Sequence, residues 1–181
     1  EQPLYGRQRV SDWIGQVNPR RINVIPLIED RSHLLTADTI VEEYLRDKEL
    51  PYQRVFLARS DPALNYGVVT AELALKTALQ RLAGLQERLG IPLYCIVGAG
   101  SAPFRGHLTP VNLQRAFREY PSAHTFTIQS AFKYDYEREK VATAIAGIRG
   151  HIASTPIPVD EERARRIMDR YTAEYQRCLR S

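Results

Sequence analysis

The sequence is poor in the residues that most quickly betray a function. Its 181 residues include two cysteines, one methionine and one tryptophan. Cys95 lies in an apolar run and Cys178 near the C-terminus, with neither a paired framework nor metal-ligand spacing, so both are expected as free thiols in a reducing compartment. No apolar stretch approaches the ~20 residues that span a bilayer, and no signal-peptide core is present, which points to a soluble, cytoplasmic protein without a membrane partner. The four histidines, His33, His107, His124 and His151, include no pair at the helical spacing of metal ligands. His107 is expected as a loop-exposed histidine. Charge of one sign is also scarce: 25 Lys and Arg stand against 21 Asp and Glu. The two signs are interspersed, with no basic block carrying interleaved aromatics, so nucleic acid is not an expected partner.

What is present is a rhythm of apolar runs and helical patterns. Ile22 to Ile28 is a short β-branched run and predicts a buried strand ending at Glu29-Asp30. Ala37 to Leu50 has helical spacing and stops at Pro51. A second strand, Val55 to Ala58, ends in Arg59-Ser60-Asp61. From Val68 to Leu89, apolar residues recur at three- and four-residue steps up to Gly90, the pattern of a long amphipathic helix. A third strand, Leu93 to Val97, runs into a loop of small residues from Gly98 to Gly106. A helix over Pro110 to Glu119, a fourth strand over Thr125 to Ile128, a helix over Glu137 to Ile152 and a last helix over Asp160 to Leu179 complete the chain. On that last helix, Ile167, Tyr171, Tyr175 and Cys178 form a stripe expected to be a packing face.

Strands that are apolar throughout and alternate with helices predict an α/β fold with a parallel sheet covered by helices. About four β/α units are expected over residues 22–152, with a C-terminal helix over 160–179, in one domain covering 1–181. The length is short for a complete eight-unit barrel, which takes roughly 200 residues or more. An incomplete barrel is therefore one of the expectations.

In parallel α/β folds the substrate site lies beyond the carboxyl ends of the strands. The polar clusters fall there. Glu29 and Asp61, from neighbouring strand ends, are the candidate ligands of a magnesium or manganese ion, a hard cation that takes carboxylate, water and substrate oxygens. The alternative for each is a helix cap or an ion pair with an arginine of the same rim. Arg59 and Arg105 suit phosphate or carboxylate, since a guanidinium donates two parallel hydrogen bonds to either, although an arginine after a strand also serves as a surface ion-pair partner. Ser60, Ser101, Gln129 and Lys133 are further groups at the same ends. The loop carrying Arg105 is neither a Walker motif nor a Rossmann fingerprint.

Three ordered motifs, Phe56-Leu-Ala-Arg-Ser-Asp-Pro-Ala-Leu-Asn-Tyr-Gly67, Gly98-Ala-Gly-Ser-Ala-Pro-Phe-Arg-Gly106 and Thr125-Phe-Thr-Ile-Gln-Ser-Ala-Phe-Lys-Tyr-Asp135, closely resemble archaeal-type phosphoenolpyruvate carboxylase. The resemblance implies a fragment from the later part of a (β/α)8 (TIM) barrel lyase, which fixes carbon dioxide by joining phosphoenolpyruvate and bicarbonate into oxaloacetate and phosphate. It places magnesium or manganese on Glu29 and Asp61 and gives Arg105 a substrate-anion role. It also implies a homo-oligomer, a tetramer, and the remainder of the same enzyme chain as a partner. Beside the bacterial and plant-type enzyme, the chain lacks the lysine that follows the metal aspartate, having Pro62-Ala-Leu-Asn65 there. The Thr-Gln-His-Pro motif of archaeal-type enzymes is absent, so the carboxylation histidine is expected outside this chain and the isolated piece is expected to be inactive. Two alternatives remain: another metal-dependent barrel lyase acting on pyruvate-type enolates, such as an aldolase, and an inert structural module.

Overall fold

The computed structural model describes residues 22–180 together with Asp12 and Gly15. Four strands, β1 (Leu27–Ile28), β2 (Gln53–Ala58), β3 (Leu93–Gly98) and β4 (Thr125–Phe126), form one sheet in the order β1-β2-β3-β4. Every neighbouring pair is parallel, with Ile28 opposite Leu57 and Phe56 opposite Ile96. Strict sequential order needs a crossover between each pair of strands, and the helices supply it. They are α1 (Arg31–Leu34), α2 (Ala37–Leu45), α3 (Ser60–Tyr66), α4 (Val68–Leu89), α5 (Leu113–Glu119), α6 (Arg138–Arg149) and α7 (Glu161–Arg180). A 3₁₀ turn, Pro103–Arg105, and a π-helical turn, Ala131–Asp135, lie between them.

The core follows from the apolar spacing. Helix α4 buries Ala71, Ala74, Leu75, Ala78, Leu82 and Leu85, one face at three- and four-residue steps, and stops at Gly90, whose φ of 66° is left-handed. Opposite it stand Val55, Leu57 and Val97, all fully buried. Each such aliphatic side chain contributes about 1.5–3 kcal/mol of burial. Helix α7 packs on both α3 and α4, burying Ala164, Met168 and Thr172. Its first turn is held by Arg81, whose Nη2 is 2.6 Å from Glu161 Oε2.

Two expectations change. The run Ile22 to Ile28 is not a buried strand: only Leu27–Ile28 pair with β2, and Ile22 is 79% exposed and Leu27 50%. Being apolar is insufficient here because, among the described residues, β1 is the sheet edge, with no strand on its outer side. Gln53 Nε2 instead tethers the segment through the Val24 carbonyl at 2.9 Å. The first predicted helix is also shorter, ending at Leu45, and an unforeseen turn, α1, precedes it.

Candidate active site

Glu29 is the residue after β1, and Asp61 lies in the first turn of α3, three residues beyond β2. Both leave the carboxyl ends of adjacent strands, which in a sheet run about 4.8 Å apart. Both side chains are exposed, and neither has a hydrogen-bond or ion-pair partner among the described residues. Capping, the competing role, has gone to the neighbouring acid. Asp30 accepts from the Ser32 amide at 2.8 Å and from the Tyr66 hydroxyl at 2.9 Å. The Ser32 hydroxyl bond, assisted by these two, lowers the Asp30 pKa despite partial burial. Asp30 thereby joins the turn after β1 to the far end of α3, the helix that opens at Ser60-Asp61.

Among the described residues, no group of three or more His, Cys, Asp and Glu stands ready to hold a metal alone. A metal held at these strand ends would find two unengaged carboxylates, Glu29 and Asp61. That fits a hard divalent cation, which keeps waters and takes one or two carboxylates plus substrate oxygens, better than zinc, which takes three or four protein ligands.

The 3₁₀ turn that ends in Arg105 packs against α3. The Gly98–Gly106 loop closes on itself: the Gly100 amide donates to the Arg105 carbonyl at 2.7 Å, and the Leu108 amide to the Gly100 carbonyl at 2.8 Å. Space at Gly100 is tight. A Cβ there would stand 2.5 Å from Gln129 Oε1 and 3.0 Å from Arg105 Cβ. Arg105 is exposed, with Nη1 3.4 Å from Gln129 Oε1, its guanidinium beside the Phe104 ring and, among the described residues, no carboxylate paired to it. Ser60 and Ser101 are half-buried at the same strand ends. Lys133 is exposed on the π-helical turn, its ammonium 4.9 Å from the centre of the Tyr134 ring.

Arg59 is placed differently from its neighbours. It is 5% exposed, with Nη1 2.9 Å from Glu72 Oε2 and 2.6 Å from the Tyr120 hydroxyl, which in turn donates to Glu72 at 2.6 Å. Sequence reasoning put Arg59 on the rim because it follows a strand, but strand parity turns it inward with Gln53, Val55 and Leu57. Its Nη1 lies 3.5 Å from where a Cβ on Gly106 would stand, so the guanidinium backs the Arg105 loop. Glu72 and Tyr120 were missed, as they sit in the second turn of α4 and at the end of α5, where the pattern signals only packing. Burial raises both their pKa values: for Glu72 it outweighs Arg59, and for Tyr120 the Glu72 charge adds to it.

A family model described as phosphoenolpyruvate carboxylase matches residues 1–181. The chain is 51% identical over 172 residues to a phosphoenolpyruvate carboxylase of Methanospirillum hungatei, covering 95% of this chain and 36% of the relative. A Metallosphaera sedula phosphoenolpyruvate carboxylase is 49% identical over 175 residues, with 95% and 34% covered. One from Pyrococcus furiosus is 46% identical over 173 residues, with 94% and 36% covered. The chain thus spans about a third of the length of the curated relatives it matches.

Proposed function

The chain belongs to the phosphoenolpyruvate carboxylase family, and from that premise we propose that it is the portion of a larger lyase that carries the divalent metal and one substrate-anion group. The parent reaction is carboxylation of phosphoenolpyruvate by bicarbonate, giving oxaloacetate and phosphate. The observation that carries this reading is the charge on one rim: among the described residues Glu29 and Asp61 leave neighbouring strands unpaired, and Arg105, on the turn that packs against α3, is equally without a carboxylate.

Glu29 and Asp61 would hold magnesium or manganese, which when bound offsets negative charge on enolate and phosphate oxygens. Arg105 donates paired hydrogen bonds to the substrate phosphate or carboxylate, and Gln129 aims its guanidinium. Ser60, Ser101 and Lys133 offer further donors to the same anions. A bicarbonate oxygen attacks phosphorus and the bridging O–P bond breaks, leaving pyruvate enolate and carboxyphosphate. Carbon dioxide lost from carboxyphosphate is then taken by the enolate carbon, with phosphate left behind. Fixed donors at Arg105 stabilise charge best where water is excluded. Arg59 supports the loop and touches neither substrate.

We place the four β/α units in a (β/α)8 barrel of the parent, a soluble, cytoplasmic homo-oligomer. Sequential strand order supports this, since doubly wound sheets reverse order at a switch point. So do the uncovered apolar residues at the β1 edge, which neighbouring barrel strands would bury.

The test is Asp61→Asn in the full-length enzyme, followed by oxaloacetate formation and Mn²⁺ titration. Both are expected to weaken by at least about 100-fold. Unchanged metal-dependent turnover would sink the ligand assignment. Product formation without bicarbonate would indicate an enolate lyase of another kind.

A further inference from the structure

Helix α3 is seven residues long, too short to be stable alone, since isolated helices below roughly 12–15 residues are marginal. Its last carbonyls have no intrahelical donors. Of the last four carbonyls, that of Ala63 accepts the Gly67 amide at 3.0 Å. The next three are each met by a side chain of α7. Tyr175 Oη donates to the Leu64 carbonyl at 3.0 Å, Gln176 Nε2 to Asn65 at 3.3 Å and Thr172 Oγ1 to Tyr66 at 3.4 Å.

The same face of α7 closes on Gly67. A Cβ there would collide with the Tyr171 ring and stand 3.0 Å from Tyr175 Cγ, and the φ of 86° independently favours glycine. Thr172 is anchored in turn, with Oγ1 2.9 Å from Thr70 Oγ1 on α4. The tyrosine stripe on α7 is therefore more than a packing face: it supplies the C-terminal cap of a helix it does not adjoin in sequence.

We propose that α7 is a positioning clamp for Asp61, with Tyr175, Gln176 and Thr172 as positioning residues that hold α3 in the register needed for metal binding. This rests on the reading of Asp61 as a metal ligand. The clamp works at one end of α3 and Asp61 sits at the other, within two turns, so a loosened cap shifts or frays the carboxylate's whole support.

The experiment uses the full-length enzyme with Tyr175→Phe and Gln176→Met combined, a pair that removes two donors and keeps volume. Mn²⁺ affinity is read by electron paramagnetic resonance, and amide exchange over residues 61–67 is read without metal. The dissociation constant for Mn²⁺ is expected to rise roughly 10-fold, the scale seen when supports of metal ligands are removed, and exchange over 61–67 to accelerate. Arg81→Lys serves as the control. It loosens the distant start of α7 and is expected to lower thermal stability while leaving Mn²⁺ affinity unchanged. Unchanged affinity in the double variant, unchanged exchange over 61–67, or an equal loss of affinity in Arg81→Lys would each overturn the clamp. Asp61→Asn separates the two ideas: if it retains Mn²⁺ binding the ligand reading fails, and if it loses binding while the double variant does not, only the clamp fails. Should the double variant not fold, Tyr175→Phe alone is measured by the same two readouts.

Discussion

The buried Arg59–Glu72 pair makes the sharpest quantitative prediction. Their side chains are 6% and 20% exposed, so screening is weak and the pair can be treated as interior. Removing one member of a buried pair costs about 3–5 kcal/mol because the survivor is left uncompensated, whereas replacing both with apolar groups is often near neutral. In Arg59→Met, Glu72 retains the Tyr120 hydroxyl at 2.6 Å and Lys76 at 3.3 Å, so the lower end, about 3 kcal/mol, is expected. The shift is about 2–4 °C per kcal/mol for 150–250 residues and falls in proportion to length, so for a full-length enzyme about three times as long it is a fall of about 2–4 °C in Tm. The triple variant Arg59→Met/Glu72→Met/Tyr120→Phe is expected to recover to within about 1 kcal/mol of the starting protein. The deficit of Arg59→Met also depends on pH. Glu72 already has a raised pKa from burial, and losing Arg59 raises it further. A carboxyl whose folded pKa exceeds its unfolded value destabilises more as pH climbs through that interval, so the deficit is smallest near the ordinary value of 4.5 and grows above it. Calorimetric melting of the full-length variants across pH measures both effects. Additive single-variant losses, with no recovery in the triple, would refute the buried-pair account. Because the triple variant removes the support against Gly106, its KM for phosphoenolpyruvate is expected to stay raised; a KM restored along with stability would deny Arg59 any part in holding the Arg105 loop.

Two other outcomes follow from single contacts. Gly100→Ala pushes on both Gln129 and Arg105, so it is expected to raise the KM for phosphoenolpyruvate several-fold while the Mn²⁺ dissociation constant stays put, a split that steady-state kinetics and metal titration can read. Cys95 is 5% exposed and burial pushes its thiol up to about 12, whereas Cys178 is exposed. At pH 8 a thiol reagent is therefore expected to modify Cys178 in the native protein, and both only after denaturation; rapid native labelling of Cys95 would contradict its burial.

Some of this was legible in the chain alone. Apolar periodicity over Val68 to Leu89 located α4 at its observed ends, because a 22-residue amphipathic pattern closed by Gly90 leaves few alternatives. The parallel α/β class followed from apolar strands alternating with helices, and the strand-end rule singled out Glu29, Asp61 and Arg105, residues that are exposed and, among the described residues, unpaired by opposite charge. What periodicity could not supply was neighbourhood. Ile22 to Ile28 is as apolar as an inner strand but lies at an edge, since burial depends on what stands alongside. Arg59 resembles Arg105 in sequence position, yet strand parity and the presence of Glu72 and Tyr120 turn it into the interior. Asp30 and Glu29 are adjacent carboxylates, and only the approach of Tyr66 and Ser32 decides which one is occupied. The capping of α3 by α7 spans more than a hundred residues of chain. Local sequence sets which segments are helix or strand through short-range sterics and apolar spacing, while the partner each charge or carbonyl finds is set by contacts that exist only once the sheet and its helices have packed.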